Sequence, residues 1–159
     1  MRLAVDSDID EIYSIYSHES VSPYLAFDPC SSTEFLSIFE DLQSGGELLV
    51  FENENKMVGV CKIIRREHRL KHSAYIGSLA VRANLQNQGF CRQIMTTILT
   101  QLEQENFKRI EVLVACDNIR TVQFFISLGF TIEGTLRNYF SRAKSNELFD
   151  EHIMGLLIE

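Results

Sequence analysis

Residues 85–94 read LQNQGFCRQI: three polar side chains, one glycine, then the start of an apolar rhythm. Glycine lowers helix propensity, so Gly89 is a poor local choice for the entrance of a helix. Its place there asks for a free backbone angle or for bare backbone. A strand that feeds a helix through such a turn exposes several unpartnered N–H groups, and the helix dipole adds partial positive charge at the same point. That combination binds phosphate, provided no side chain blocks the approach. The alternative is that Gly89 only relieves crowding between turn and sheet. A second stretch, ACDNIRTVQFFISLGF, puts Asn118 at the head of a short helix that ends in Leu128-Gly129-Phe130. A dinucleotide fingerprint of the GxGxxG type competes poorly here, because the turn has one glycine and the preceding chain reads as an antiparallel meander.

The elements that must position these residues follow from periodicity. Arg2 to Val5 reads as a short strand. Ser7 opens SDIDEIYSIYSHES with Asp10 as a short-armed capping box, and Ile9, Ile12, Tyr13 and Tyr16 fall on one helical face. VSPYLAFDPC is a loop holding both prolines and the bulky Tyr24, Leu25 and Phe27. Ser31 with Glu34 caps a second helix whose Phe35, Ile38, Phe39 and Leu42 form a stripe, ended by Gly45-Gly46. Strands from Glu47 to Glu52 and from Lys56 to Arg66 turn at Asn53-Glu54-Asn55, and a third, His72 to Arg82, completes a meander. Phe90, Cys91, Ile94, Met95, Ile98, Leu99 and Leu102 make the clearest helix, running to about Asn106. Arg109 to Ala115 is a strand. Asp117 or Asn118 then caps a helix carrying Val122, Phe125, Ile126 and Leu128, which Gly129 stops. Phe130 to Tyr139 and Leu148 to Ile158 are the last strands, either side of a polar SRAKSNE linker. The order is βααβββαβαββ, and no repeat or linker divides residues 1–159 into more than one α/β unit with a mixed sheet.

With both stretches in this order and spacing, the chain resembles the GNAT superfamily of acyl-CoA-dependent N-acetyltransferases, over nearly its whole length. The signature of that superfamily at the turn is Q/R-x-x-G-x-G/A, here Gln86-Asn87-Gln88-Gly89-Phe90-Cys91, and its second motif is Asn118 through Leu128-Gly129-Phe130. The resemblance implies a GNAT-like fold with a splayed central sheet, acetyl-CoA as cosubstrate and no metal. Backbone amides from Gln88 to Arg92 would hold the pyrophosphate. Leu79, Ala80 and Val81 would pair with the pantetheine arm much as a neighbouring strand would. That requires the parallel strands Tyr75–Val81 and Arg109–Ala115 to part and leave a cleft. Asn118 would bond the pantetheine, Phe125 would lie near the sulfur, and Arg82 and Arg92 would meet the remaining phosphate charge. A backbone N–H near Leu79 would stabilise the oxyanion formed as a primary amine attacks directly.

The pattern departs from the superfamily in two places. Cys91 stands where Gly or Ala is usual; it is small enough for the first helical turn, whether as a thiol of lowered pKa or as a small buried residue. Phe125 replaces a tyrosine whose hydroxyl, in many relatives, protonates the departing thiolate. Tyr139 is the substitute acid within the sequence, or else a structural residue. The acceptor amine has a pKa of about 10 and must lose a proton first. Some relatives use a glutamate near the position of Tyr75; Glu111, acting through a water, and a water chain with no fixed base are the alternatives. The tail, EGTLRNYF…LFDEHIMGLLI, looks similar to the branch with ribosomal-protein N-terminal and small-amine acetyltransferases, and Arg137 and Asp150 are expected to pair across the final hairpin. Tyr24 and Phe27 would either wall the acceptor pocket or cap the core under their loop.

Composition sets the outer limits. Apolar residues make up 45% and charged residues 23% of the 159, as in ordinary globular domains. The net charge of −7 argues against nucleic-acid binding. Four cysteines and four histidines show no zinc or disulfide spacing, so reduced thiols in a cytoplasmic protein are expected. No apolar run approaches the roughly 20 residues of a membrane span, and MRLAVDSDIDEI lacks the apolar core of a signal peptide. The acceptor is a small amine or a protein N-terminus, and a homodimer is compatible with either. The reading from a different class is a non-catalytic acetyl-CoA-binding module, which Phe125 suggests.

Overall fold

A computed structural model of the chain describes residues 1–142 and 147–158. Most of the SRAKSNE linker therefore lies outside the described residues. In chain order the elements are β1 (Arg2–Leu3), α1 (Ile9–Tyr16), α2 (Phe35–Ser44), β2 (Glu47–Asn53), β3 (Lys56–Arg65), β4 (Ser73–Val81), α3 (Phe90–Gln104), β5 (Arg109–Ala115), α4 (Ile119–Ile126), β6 (Thr131–Ser141) and β7 (Leu148–Leu157). This is the expected βααβββαβαββ order, folded into one mixed seven-stranded sheet of order β1-β2-β3-β4-β5-β7-β6.

The sheet separates two apolar cores. On one face α1 and α2 bury Ile12, Ile15, Tyr16, Phe35, Phe39 and Leu42 against Leu48, Val50, Met57, Val60 and Ala80. On the other, α3 and α4 lay Ile94, Met95, Ile98, Leu102, Val122 and Phe125 over Ile63, Ile76, Ile110, Val112 and Met154. Each such side chain contributes about 1.5–3 kcal/mol on burial, which is why the 3.6-residue stripes of the sequence set these helices. The β2–β3 hairpin turns through Glu54 and Asn55, both at positive φ (50° and 60°), as a two-residue turn of that handedness requires.

The ends of the helices divide into one expectation met and one corrected. Ser31 and Glu34 do form a reciprocal cap: Ser31 N–H donates to Glu34 Oε2 at 2.8 Å, and Glu34 N–H to Ser31 Oγ at 3.4 Å. Ser7 and Asp10 do not. A short 3-10 turn, Asp6–Asp8, precedes α1, and the Asp8 carboxylate takes the Val5 N–H at 2.8 Å while Arg2 grips it at 2.7 and 2.9 Å. A carboxylate that gains a guanidinium as well as an N–H outcompetes a serine hydroxyl for the cap.

The expected pair across the last hairpin is also corrected. Asp150 accepts the Asn138 N–H at 2.8 Å, and among the described residues Arg137 makes no ion pair. The β6–β7 register shifts between Leu136 and Phe140, with Asn138 at φ 52°, so a backbone donor reaches the carboxylate first.

Candidate active site

Strands β4 and β5 run parallel and pair through three positions only: Ser73 with Arg109, Ala74 with Ile110 and Tyr75 with Glu111. Beyond Tyr75 and Glu111 both strands continue, to Val81 and Ala115, without pairing to each other. A cleft opens there in the middle of the sheet.

One side of the cleft is shaped by an irregularity in β4. The β3–β4 register shifts between Val60–Ala80 and Lys62–Gly77, so two residues, Ser78 and Leu79, oppose Cys61 alone. Ser78 sits at φ 50°, a conformation costly for a residue with a Cβ. The hydroxyl of Tyr16, fully buried on α1, donates to the Ser78 carbonyl at 2.7 Å and pins the bulge. Arg82 N–H donates to Val58, and Arg66 N–H to the Ser73 carbonyl. Counting inward from both ends leaves Ser78 and Leu79 where the ladder's N–H groups point away from β3. Neither Ser78 nor the need for a bulge is visible in the sequence, because β4 is apolar on both faces and shows no break in alternation.

At the top of β4 the chain passes through the 3-10 turn Ala83–Leu85 into the stretch 86–92. Gly89 is the N-cap of α3 at φ 86°, a left-handed conformation, and a Cβ built on it would meet nothing within 4 Å. The first N–H of the region to reach a carbonyl is that of Gln93, on Gly89 at 3.0 Å; among the described residues none of the backbone hydrogen bonds starts from residues 87–92. The polar side chains fold back and leave the turn open. Gln86 Nε2 donates to Ser20 Oγ at 3.0 Å and to the Val81 carbonyl at 3.2 Å, and Gln88 Nε2 to the Asn84 carbonyl at 2.9 Å. Phe90 and Cys91 turn inward, half-buried against the core.

Cations border this turn, though not all those expected. Arg92 donates to Ser127 Oγ at 2.6 Å and lies over the Phe124 ring at 5.9 Å. Arg120, on the first turn of α4, donates to Asn87 Oδ1; it is distant from the turn in the chain and reaches it only because α4 packs alongside. Arg82 is engaged elsewhere, donating to Glu11 at 2.6 Å and to the Met57 carbonyl at 2.9 Å. Burial pushes the Cys91 thiol up to about 11, so the lowered-pKa option is removed and the small packed residue stands.

Across the cleft, Asn118 caps α4, its Oδ1 accepting the Thr121 N–H at 3.3 Å; among the described residues its amide nitrogen donates to none. Phe125 is 4% exposed, between Phe124 and Phe130 at centroid distances of 5.3 and 5.2 Å. Tyr75 lies mostly buried along β4. Burial first, then the charges of Glu151 and Tyr139, push its hydroxyl up to about 12. Tyr139 is exposed on the irregular stretch of β6. Glu111 is committed: Arg109 donates to it at 2.7 Å and Arg66 stands at 3.6 Å. Phe27 packs on Tyr16 and Phe35 at 5.7 and 6.1 Å, as a cap on the core. Tyr24 is exposed under the guanidinium of Arg142, 5.0 Å away.

Arg142 ties three segments together at one end of the cleft. It donates twice to Asp117, at 2.7 and 2.6 Å, and once to the Pro23 carbonyl at 3.0 Å. Its guanidinium also stacks 4.0 Å from the Phe149 ring. Among the described residues no three His, Cys, Asp or Glu side chains are grouped as a metal site, and no helix is long and apolar enough to cross a membrane.

A family model described as "Acetyltransferase (GNAT) family" matches residues 9–130. No curated protein matches the chain. Among solved structures, a spermidine N-acetyltransferase chimera from Vibrio cholerae SpeG and hSSAT superposes with a TM-score of 0.82 at 20% identity, covering 98% of this chain and 93% of the other. The ribosomal-protein-S18-alanine N-acetyltransferase of Escherichia coli gives 0.74 at 23% identity, with 99% and 92% covered. The yncA protein of Salmonella typhimurium, solved with its cofactor acetyl-CoA, gives 0.76 at 19% identity, with 99% and 92% covered.

Proposed function

The chain belongs to the GNAT acetyltransferase family, and from that premise we propose that it transfers an acetyl group from acetyl-CoA to a primary amine by direct attack. The observation that carries the reading is the pairing of β4 with β5, which ends at Tyr75–Glu111 while both strands run on beside an open, donor-rich turn. Unpaired N–H groups at 87–92, a void where a Gly89 side chain would stand, and Arg92 and Arg120 at the rim fit a pyrophosphate. The free edge at Leu79, Ala80 and Val81 fits an extended chain of amides, and the spare amide nitrogen of Asn118 adds a donor opposite. When bound, acetyl-CoA supplies an activated acyl group on sulfur. The chain's part is to hold that group still and present an N–H from the bulge, at Leu79, to the acyl oxygen, which gains negative charge during attack.

Arg142 bridges the last hairpin, the loop at Pro23 and the entrance to α4. A cleft strapped at one end favours a compact amine over a polypeptide, so a small amine is the acceptor we propose. The test is a panel of spermidine, phosphinothricin and an alanine-initiated peptide, with free CoA thiol and acetylated product followed together. Turnover of a small amine above the peptide is the expected result. Turnover of the peptide alone would transfer the assignment to protein N-termini. Tight acetyl-CoA binding with no release of CoA to any amine would make the chain a binding module.

A further inference from the structure

One carboxylate at the cleft takes no part in the reading above. Glu151 on β7 pairs with Ala115, the last residue of β5, and with Leu136 of β6. Residues paired directly across a ladder project to the same face, and alternate residues of one strand share it. Tyr75 pairs with Glu111, and Glu111, Leu113 and Ala115 alternate up β5, so Tyr75 and Glu151 stand on one face, at the two sides of the gap. The Tyr75 ring lies along β4 over Gly77, its Oη 3.1 Å from the point where a Gly77 Cβ would sit, one residue short of the bulge at Ser78. Helices α1 and α2 cover the other half of this face, over β2 to β4.

Glu151 is half-buried, yet among the described residues its carboxylate has no ion pair and accepts no hydrogen bond. Its neighbours on the same face do not share this condition: Glu111 and Glu133 are both held by Arg109. Tyr75 from β4 and Cys116 just past β5 lie close enough to feel the charge of Glu151, and neither is a cation; Asp150 and His152 flank it on its own strand and Arg137 follows its β6 partner Leu136, and none of these three pairs with it. Burial alone raises its pKa. A carboxylate kept half out of water without a cation costs stability, and an arriving cation removes that cost.

We propose that Glu151, with the phenol ring of Tyr75 on the same face across the gap, seats the ammonium group of the acceptor and takes the proton that the amine must lose before it attacks. The inference rests on the acetyl-transfer reading above. The ammonium gives one proton to the carboxylate, and the freed lone pair forms the C–N bond to the acetyl carbon. The C–S bond breaks with its electron pair going to sulfur, and the second proton leaving nitrogen ends on that thiolate. The aromatic ring favours a cation over a neutral guest.

The test uses the full chain labelled with ¹³C at glutamate carboxyls, with Glu151→Gln to identify the Glu151 signal. That signal should titrate above the other glutamates and shift saturably with n-butylammonium chloride, but not with n-butanol. Glu151→Gln should melt no lower than wild type at pH 7, bind acetyl-CoA equally well, and lose about 100-fold or more in turnover of whichever panel amine is acetylated, with the acid limb of its pH profile displaced. No response to butylammonium, or Glu151→Gln acetylating at the wild-type rate, overturns the proposal and leaves the acetyl-transfer reading standing. Wild-type protein that fails to bind acetyl-CoA would instead bring down that reading, and this one with it.

Discussion

Replacing Gly89 separates the two roles a glycine can have at this turn. Its φ of 86° lies where a side chain costs about 1–2 kcal/mol, and a β-branched residue sits at the upper end of that range. No steric term is added, because nothing lies within 4 Å of the Cβ position. Gly89→Val should therefore fold, with a melting temperature lower by roughly 2–8 °C, at about 2–4 °C per kcal/mol for a chain of this size. Binding should suffer more. The void that makes the Cβ harmless to the fold is the space an anion must enter to meet the N–H groups of 87–92. Losing one or two charge-assisted hydrogen bonds, at about 1.5–3 kcal/mol each, weakens acetyl-CoA roughly 10-fold to 20,000-fold. Gly129→Ala is the control: its φ is 93° and its Cβ would lie 3.3 Å from Leu156 Cδ1, so it carries a similar backbone cost at the far end of α4. Calorimetric titration with acetyl-CoA, alongside thermal melts of both variants, reads the two effects separately. If Gly89→Val melts lower but binds as wild type, the glycine serves only the path of the chain and the phosphate cradle is refuted.

Tyr16→Phe leaves the Ser78 carbonyl without its donor, at a cost of about 1–3 kcal/mol for a buried group; melts should fall by several degrees and turnover should drop with the bulge unpinned, whereas a lower melt with unchanged turnover would separate the bulge from catalysis. Phe125→Tyr adds a hydroxyl within the Phe124–Phe130 cluster, so stability should fall by about 1–3 kcal/mol with no gain in turnover; faster turnover at an unchanged melting temperature would mean that the ring's para position opens on the cleft. Asp8→Asn should cost about 1.5–3 kcal/mol at pH 7, since the Arg2 guanidinium and the Val5 N–H both act on the carboxylate. The same pairing, chiefly the hydrogen bond from Arg2, holds the Asp8 carboxyl below its ordinary range. Its stabilising share is therefore complete above about pH 4 and is lost as pH falls through the depressed value; denaturant melts from pH 7 to pH 3 should show wild type converging on the variant only at the acid end.

The sequence made the helices and the order of strands legible because their signals are local. Apolar residues at three and four place α3, and glycines mark the ends of α2 and α4. The strand–turn–helix at Gly89 and the Asn118 cap are local as well, so the turn and the cap proposed to hold the cofactor could be read from residue types. What escaped was set by partners distant in the chain. Asp8 displaces Ser7 at the α1 cap because Arg2 is near it in the sheet. Tyr16 reads as one more residue in a stripe until its hydroxyl meets Ser78, 62 positions on. Glu151 is one acid in the run FDEHIM, and only the β5–β7 register brings it to the cleft. The acid and base chemistry proposed for the site is thus the part that depends most on register.

The parting of β4 from β5 has a physical cause within the chain. Parallel neighbours that pair at three positions and then extend further would ordinarily keep pairing, since each ladder step satisfies a donor and an acceptor. Two features stop them here. The extra residue in β4 shifts the phase of its groups after Gly77, so the amides from Ser78 onward cannot re-enter register with those of β5. The Tyr16 hydroxyl then holds the Ser78 carbonyl toward α1, at 2.7 Å, and fixes that phase. Strand β5 loses less than it would alone, because β7 pairs with it along its entire length on the other edge. The result is a sheet kept whole by β7 while its middle carries an unpaired edge, and buried unpaired backbone is tolerated only where water or a ligand completes it. A bulge, a buried tyrosine and a long antiparallel partner therefore act as one device, and it is this device, more than any single side chain, that makes room for a strand-like guest.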